Sequence, residues 1–76
     1  MEEYRVLFRR SVRKDLDTIP KKDVVRIMRR IETLTRDPRP PGCEKLSGQE
    51  RYRIRQGNYR IVYSIQDEEL TVWMVK

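Results

Sequence analysis

The chain has 76 residues, enough for one compact domain and too few for a second core. Its 18 Lys and Arg residues against 12 Asp and Glu residues give a net charge of +6, and arginine outnumbers lysine, which favours a phosphate-bearing partner. One cysteine and no histidine exclude an internal disulfide, a Cys/His zinc site and a Ser-His-Asp triad. The chain also has no long apolar run. We therefore expect a cytoplasmic protein that uses no metal or cofactor.

The N-terminal half is predicted to contain one strand and two helices. Residues 4–9 are short and β-prone, with apolar side chains at alternate positions, and predict a strand. Ser11 is the expected N-cap of a short helix that ends before Pro20. A longer amphipathic helix follows, because apolar residues recur at helical spacing. The residues expected to face inward are Val12, Leu16 and Ile19 in the first helix and Val24, Ile27, Met28, Ile31 and Leu34 in the second.

The C-terminal half is predicted to contain three antiparallel strands. A proline-rich segment, residues 37–42, ends the long helix and opens a loop that runs to Gly48. Alternating residues 51–55 and 59–65 flank a Gln-Gly-Asn turn, and a polar turn at 66–69 leads to a third run at 70–75. This order predicts an α+β fold, β-α-α-β-β-β, with both helices on one face of a small twisted, mainly antiparallel sheet.

The strand alternation places arginines together on the face of the sheet that is left open. Arg51, Arg53 and Arg55 lie on one side of their strand, and Arg60 lies on the same side across the hairpin. Like charges on neighbouring strands repel each other. A sheet face that binds no anion would therefore tend to have acidic residues between the basic ones. The pattern favours a phosphate-binding surface; the alternative is a solvated face on which arginine stems cover apolar groups.

The predicted hairpin contains the segments Tyr52-Arg53-Ile54-Arg55 and Gly57-Asn58-Tyr59-Arg60-Ile61-Val62-Tyr63. These segments resemble the central hairpin of the RelE/ParE superfamily of type II toxin-antitoxin toxins. The first strand, Lys14-Asp15-Leu16, the long helix and residues 38–48 are also similar to that family. The resemblance implies that residues 1–76 form a single RelE/ParE-like toxin domain, held inactive by a cognate antitoxin, with a heterotetramer as one expected assembly.

The RelE branch implies a ribosome-dependent mRNA endoribonuclease, or mRNA interferase, that works without a metal and blocks translation in the A site. In that mechanism the 2′-hydroxyl attacks the adjacent phosphate, and basic side chains stabilise the developing charge. By position, Arg53 and Arg55 match the two basic residues of the first hairpin strand, and Arg60 matches the arginine that clamps the scissile phosphate. Arg51 and Lys45 are expected to add RNA contacts.

Two departures from the family pattern bear on catalysis. The RelE branch has lysines where this chain has Arg53 and Arg55, and a guanidinium is a poor proton shuttle. The family continues into a basic segment that ends in a tyrosine, whereas this sequence ends at Lys76, so we expect a domain that lacks this tail. Proton transfer would then fall to Lys45, Tyr63 or a ribosomal group, although the apolar setting of Tyr63 favours a core role.

Three functions stay open at this point. The first is the ribosome-dependent endoribonuclease, and the second is a ParE-type poison of DNA gyrase that shares the fold without needing the phosphate clamp. The third is an antitoxin-binding module with weak or no catalytic activity. Trp73 is expected to lie in the core or beneath an antitoxin helix.

Overall fold

The computed structural model describes residues 3–46 and 50–75, which form two helices and one five-stranded sheet. The elements in chain order are β1 (Arg5–Phe8), α1 (Arg10–Asp17), α2 (Lys21–Arg36), β2 (Glu44–Leu46), β3 (Arg51–Gln56), β4 (Tyr59–Gln66) and β5 (Glu69–Val75). The strands lie in the order β1-β5-β4-β3-β2, with β1 parallel to β5 and the other pairs antiparallel. The predicted α+β architecture is therefore confirmed.

One strand lies where the sequence predicts a loop. The segment Glu44–Leu46 forms β2, which pairs with β3 so that Lys45 lies opposite Tyr52. Three residues are too few to display the two-residue period of a strand. The pairing with β3 forms this strand, and a one-dimensional pattern does not reveal such a contact. The sheet in the described residues thus has one strand more than predicted.

The first helix begins two residues earlier than expected. Its N-cap is Arg9, with no side-chain hydrogen bond, and Ser11 lies inside the helix. The reason is that β1 leads almost directly into α1: the backbone N–H of Arg9 donates to the carbonyl of Val72 at 3.1 Å, which leaves no room for a separate cap.

Within the described ranges, neither helix has the length and apolar character needed to cross a membrane.

The core lies between α2 and the sheet. Its buried side chains are Ile19, Ile27, Ile31, Leu34, Tyr52, Ile54, Ile61, Tyr63, Ile65, Leu70 and Val72. The predicted core position of Met28 is wrong, because this side chain is 40% exposed at the margin where α2 passes β1. Tyr63 is fully buried, as predicted, and its hydroxyl donates to the carbonyl of Pro38 at 2.6 Å.

A polar cluster holds the segment after α2 against the sheet. The Nε of Arg39 donates to the hydroxyl of Tyr52 at 2.9 Å, and that hydroxyl donates to Oε2 of Glu50 at 2.7 Å. The hydrogen bonds from Tyr52 and then Arg39 lower the pKa of Glu50. This carboxylate is half exposed, so its ion pair with Arg39 adds little to the free energy of unfolding. The main effect of the cluster is to fix the path of the chain.

A two-residue turn sets the register of the central hairpin. Gly57 and Asn58 join β3 to β4, and Gly57 has a φ of 61°, in the left-handed region that favours glycine. This turn places Arg55 directly opposite Arg60. The local chemistry of one turn therefore brings the two arginines together.

Candidate nucleic-acid interface

The arginines lie on the face of the sheet away from the helices. Tyr52 and Ile54 of β3 point into the core, so the alternate residues of that strand, the three arginines, point to the opposite side. Arg60 joins them from β4, because its cross-strand partner is Arg55. The common face that the alternation predicts is present.

Three of these arginines line one cleft. The cleft has a volume of about 310 Å³ and is lined by Gly42, Glu44, Arg53, Arg55 and Arg60. Both Arg55 and Arg60 are exposed, and among residues 3–46 and 50–75 neither forms an ion pair. Directly opposed like charges on adjacent strands destabilise a sheet unless an anion separates them. The cleft is therefore suited to a phosphate.

A carboxylate partly neutralises this cleft. Glu44 lies opposite Arg53 in the pairing of β2 with β3, and the two side chains form an ion pair and hydrogen bond. Sequence reasoning missed Glu44 because it lies on the unpredicted strand β2. Arg53 is thus fixed at one wall of the cleft, while Arg55 and Arg60 carry the charge that has no partner in the part of the chain that the structure describes.

Two of the predicted RNA-contacting residues lie outside the cleft. Lys45 lies opposite Tyr52 and so belongs to the helix-facing side of the sheet, where its Nζ is 3.9 Å from Oε1 of Glu50. Arg51 lies on the open face, but its guanidinium is near Trp73, 5.7 Å from the ring centroid. The structure brings together Arg53, Arg55 and Arg60 without these two.

Trp73 is on the open face and not in the core. It lies opposite Val62 on β4 and is partly exposed. The guanidinium carbon of Arg9 is 3.9 Å from the centroid of its ring, a cation–π contact. Of the two positions expected for Trp73, the one in the core is therefore wrong, because along β5 it alternates with the inward residues Leu70 and Val72.

The buried tyrosine is not placed for proton transfer. Tyr63 faces the helices, on the side of β4 opposite to the cleft, and burial raises the pKa of its phenol far above the ordinary value. The cleft itself contains three guanidiniums and one carboxylate among its lining residues. This set can bind and orient a phosphate and stabilise added negative charge, and Glu44 can accept a proton.

A second surface lies on the other side of the molecule. A groove of about 530 Å³ runs between β1 and α2, and Val6, Phe8, Val25 and Met28 line much of it. Phe8, Val25 and Met28 are 43%, 48% and 40% exposed. Clustered exposed apolar side chains of this kind are typical of interaction surfaces.

Comparison with known proteins identifies the family. Residues 6–76 match the model of the ParE toxin of the type II toxin-antitoxin system parDE. The chain belongs to this family. ParE-family membership confirms the resemblance to RelE/ParE toxins that the central hairpin shows.

Solved structures support the same fold for this ParE-family chain. The RelBE2 toxin-antitoxin complex from Mycobacterium tuberculosis contains a chain that is 27% identical, with a TM-score of 0.74; the match covers 97% of this chain and 94% of that one. A mutant of the Escherichia coli toxin RelE in the free state is 22% identical over 97% of this chain and 80% of that one, with a TM-score of 0.75. A search of curated proteins gave no significant match.

Proposed function

We propose that this ParE-family toxin is an mRNA endoribonuclease that acts on the ribosome, as the RelE branch does, and binds the scissile phosphate in the arginine cleft. The observation that carries the proposal is the direct opposition of Arg55 and Arg60, with neither charge paired among the described residues. Such a pair is costly in an empty sheet face and favourable around a phosphodiester, whose two free oxygens can each accept from a guanidinium.

The reaction that fits this cleft is an internal transfer within RNA. The 2′-oxygen attacks the neighbouring phosphorus, the bond from phosphorus to the 5′-oxygen breaks, and the products are a 2′,3′-cyclic phosphate and a 5′-hydroxyl end. Arg60 and Arg55 stabilise the negative charge that grows on the phosphate oxygens. Arg53, held by Glu44, orients the phosphate from the wall of the cleft.

Proton transfer falls to Glu44 in this proposal. It is the carboxylate among the residues that line the cleft, and a guanidinium group has no site that accepts a proton. Glu44 accepts the proton of the attacking 2′-hydroxyl, and the departing 5′-oxygen takes a proton from water or from a ribosomal group. The ion pair with Arg53 orients the carboxylate for that step.

The test is a reconstituted translation assay in which mRNA ends are mapped on programmed ribosomes. We expect cleavage confined to the A-site codon, and a loss of about 100-fold or more in rate for Arg60→Ala. The control is Arg13→Ala, which removes the same charge from the exposed side of α1 and should cleave normally. Cleavage by Arg60→Ala at the wild-type rate would contradict the proposal. Intact mRNA with the wild-type protein would instead favour the gyrase poison or the antitoxin-binding module without catalytic activity.

The second candidate is a poison of DNA gyrase. The observation that favours it is the family model itself, which describes the ParE toxin of the parDE system. This function does not depend on a phosphate clamp, so Arg60→Ala should keep its toxicity. Gyrase-dependent breaks in cellular DNA, with intact mRNA, would establish it over the nuclease.

We further propose a cognate antitoxin that covers the apolar groove between β1 and α2. The related toxin of Mycobacterium tuberculosis was solved in a toxin-antitoxin complex, and its chain matches this one over nearly the full length. An antitoxin segment with apolar side chains would bury Phe8, Val25 and Met28, which are largely exposed in the chain alone. A heterotetramer with the antitoxin is one expected assembly.

A further inference from the structure

An aromatic ring lies beside the arginine cleft, in the same row across the sheet. Trp73 is opposite Val62 on β4, and Val62 is in turn opposite Arg53 on β3. Adjacent strands are about 4.8 Å apart, so the backbones of Trp73 and Arg53 are separated by about 10 Å. A single strand of nucleic acid with splayed bases can therefore contact both.

Two arginines outside the cleft converge on this ring. The guanidinium carbon of Arg9, at the end of β1, is 3.9 Å from the ring centroid, and that of Arg51 on β3 is 5.7 Å away. Both arginines are exposed. Val62, between Trp73 and Arg53, is only 5% exposed although it lies on the open face. Trp73 and Arg53 are the two cross-strand neighbours of Val62 on this face, so the ring lies next to the residues that line the cleft.

We propose that Trp73 is a stacking subsite for one nucleobase of single-stranded RNA whose neighbouring phosphate lies in the cleft of Arg53, Arg55 and Arg60. The inference rests on the proposed function, because that function supplies the RNA. Every base has a π-face that can stack on an indole. We therefore expect the subsite to bind any base and to lose affinity for RNA when the base is missing.

Arg9 and Arg51 act as cations at this subsite. A cation–π contact at an exposed site is weaker than the stacking of a base on an aromatic ring, so an incoming base can displace Arg9 from the ring. Its long side chain then turns towards the phosphate next to the stacked base. Arg51 lies on β3 in the neighbouring row, opposite Ser64, and supplies a second cation for the RNA backbone.

The alternative explanation of these contacts is that Arg9 only covers an exposed tryptophan. The two explanations predict different changes in the environment of the indole when RNA binds. A covering role leaves the indole unaffected when RNA binds in the cleft, whereas a stacking role places a base on the ring. Because Trp73 is the only tryptophan in the chain, its fluorescence reports this difference without labelling.

The test compares two short probes of equal length and charge: a 2′-O-methyl oligoadenylate, which cannot be cleaved by attack of the 2′-oxygen, and an abasic oligomer. We expect the oligoadenylate to quench Trp73 fluorescence on binding and the abasic oligomer to bind more weakly without quenching. This comparison uses the unaltered protein, so it does not depend on how a variant folds.

Variants then separate the subsite from the cleft. Trp73→Leu should lower the affinity for the oligoadenylate about 10-fold and leave that for the abasic probe unchanged, and Trp73→Phe should restore part of the loss. Arg60→Ala should weaken both probes by the same factor, since it removes a phosphate contact.

The outcomes distinguish this inference from the proposed function. If both probes bind the wild-type protein equally and leave its fluorescence unchanged, the stacking subsite is overturned while the phosphate cleft stands. The same conclusion follows if Trp73→Leu weakens both probes alike. If neither probe binds at all, RNA binding through this face fails, and the proposed function fails together with the subsite.

Discussion

Glu44 has a double effect on the cleft, because it carries a negative charge into a site that we propose for a phosphate. The ion pair with Arg53 holds that guanidinium in place but cancels part of its attraction for RNA. In our mechanism this carboxylate has a use beyond binding, which is acceptance of the 2′-hydroxyl proton. The two effects of Glu44 can be separated experimentally, because they change affinity and rate in opposite directions.

The substitution Glu44→Gln keeps the shape of the side chain and removes its charge. We expect affinity for the uncleavable oligoadenylate to rise about 5-fold, since one unfavourable charge at short range is lost. The logarithm of affinity should also fall more steeply with salt, by about 0.7 for a newly available phosphate contact. The cleavage rate on the ribosome should fall by about 100-fold, because the general base is absent.

Glu32→Gln is the control for this prediction. Glu32 is exposed on α2, on the other side of the molecule, and its replacement should change neither quantity. If Glu44→Gln binds RNA more weakly, the main role of Glu44 is to position Arg53. If the rate stays at the wild-type value, another group accepts the proton.

The long α2 helix and the hairpin of β3 and β4 could be predicted from sequence because their periods repeat over many residues. In α2 the inward set recurs over about three turns, and in the hairpin the alternation fixes which side the arginines occupy. β2 could not be predicted, since its three residues carry no period and its existence depends on pairing with β3. For that reason the sequence indicated Arg53, Arg55 and Arg60 but missed Glu44.

Trp73 shows a second limit of pattern reasoning at the level of one strand. In β5 the inward residues Leu70 and Val72 alternate with Thr71 and Trp73, so both sides carry at least one large or β-branched residue. Hydrophobicity then does not say which side is buried. The register with β4 decides it, by placing Trp73 beside Val62 on the open face.

The turn between β3 and β4 offers a test of how the hairpin controls the site. In Gly57→Ala the left-handed φ of 61° becomes unfavourable, and no atom lies within 4 Å of the added Cβ, so the cost comes from the backbone alone. We expect a loss of about 1–2 kcal/mol in the free energy of unfolding, measured by urea denaturation. Affinity for the abasic oligomer should fall as well, because Arg55 and Arg60 lie beside this turn.

Asparagine tolerates the left-handed region better than alanine does, so Gly57→Asn is the matched variant. It should recover most of the stability and the affinity. Equal losses in both variants would mean that the turn tolerates no side chain for a reason other than its φ angle. A loss of stability without any loss of affinity would show that the register of the two arginines survives a strained turn.

At the scale of the whole molecule, the sheet separates two surfaces of opposite character. The open face carries the polar cleft, and the groove between β1 and α2 is mainly apolar. An antitoxin that covers the groove does not by itself occupy the cleft, because the helices and the arginines lie on different faces. Binding of the antitoxin and binding of RNA should therefore be separable by substitution.

Met28→Lys tests this separation. Met28 is 40% exposed and lines the groove, so a lysine there can reach solvent at little cost to folding but places a charge in an apolar contact. We expect the co-expressed antitoxin to be lost on affinity purification of the toxin, or its Kd to rise by at least about 10-fold. Affinity for the oligoadenylate should stay within about 2-fold of the wild-type value, since one distant surface charge is largely screened.

Lys21→Ala is the control and should retain the antitoxin. Lys21 lies at the exposed start of α2, outside the residues that line the groove. If Met28→Lys keeps its antitoxin with unchanged affinity, the partner binds elsewhere, and the exposed edges of β1 and β2 become the next surfaces to test.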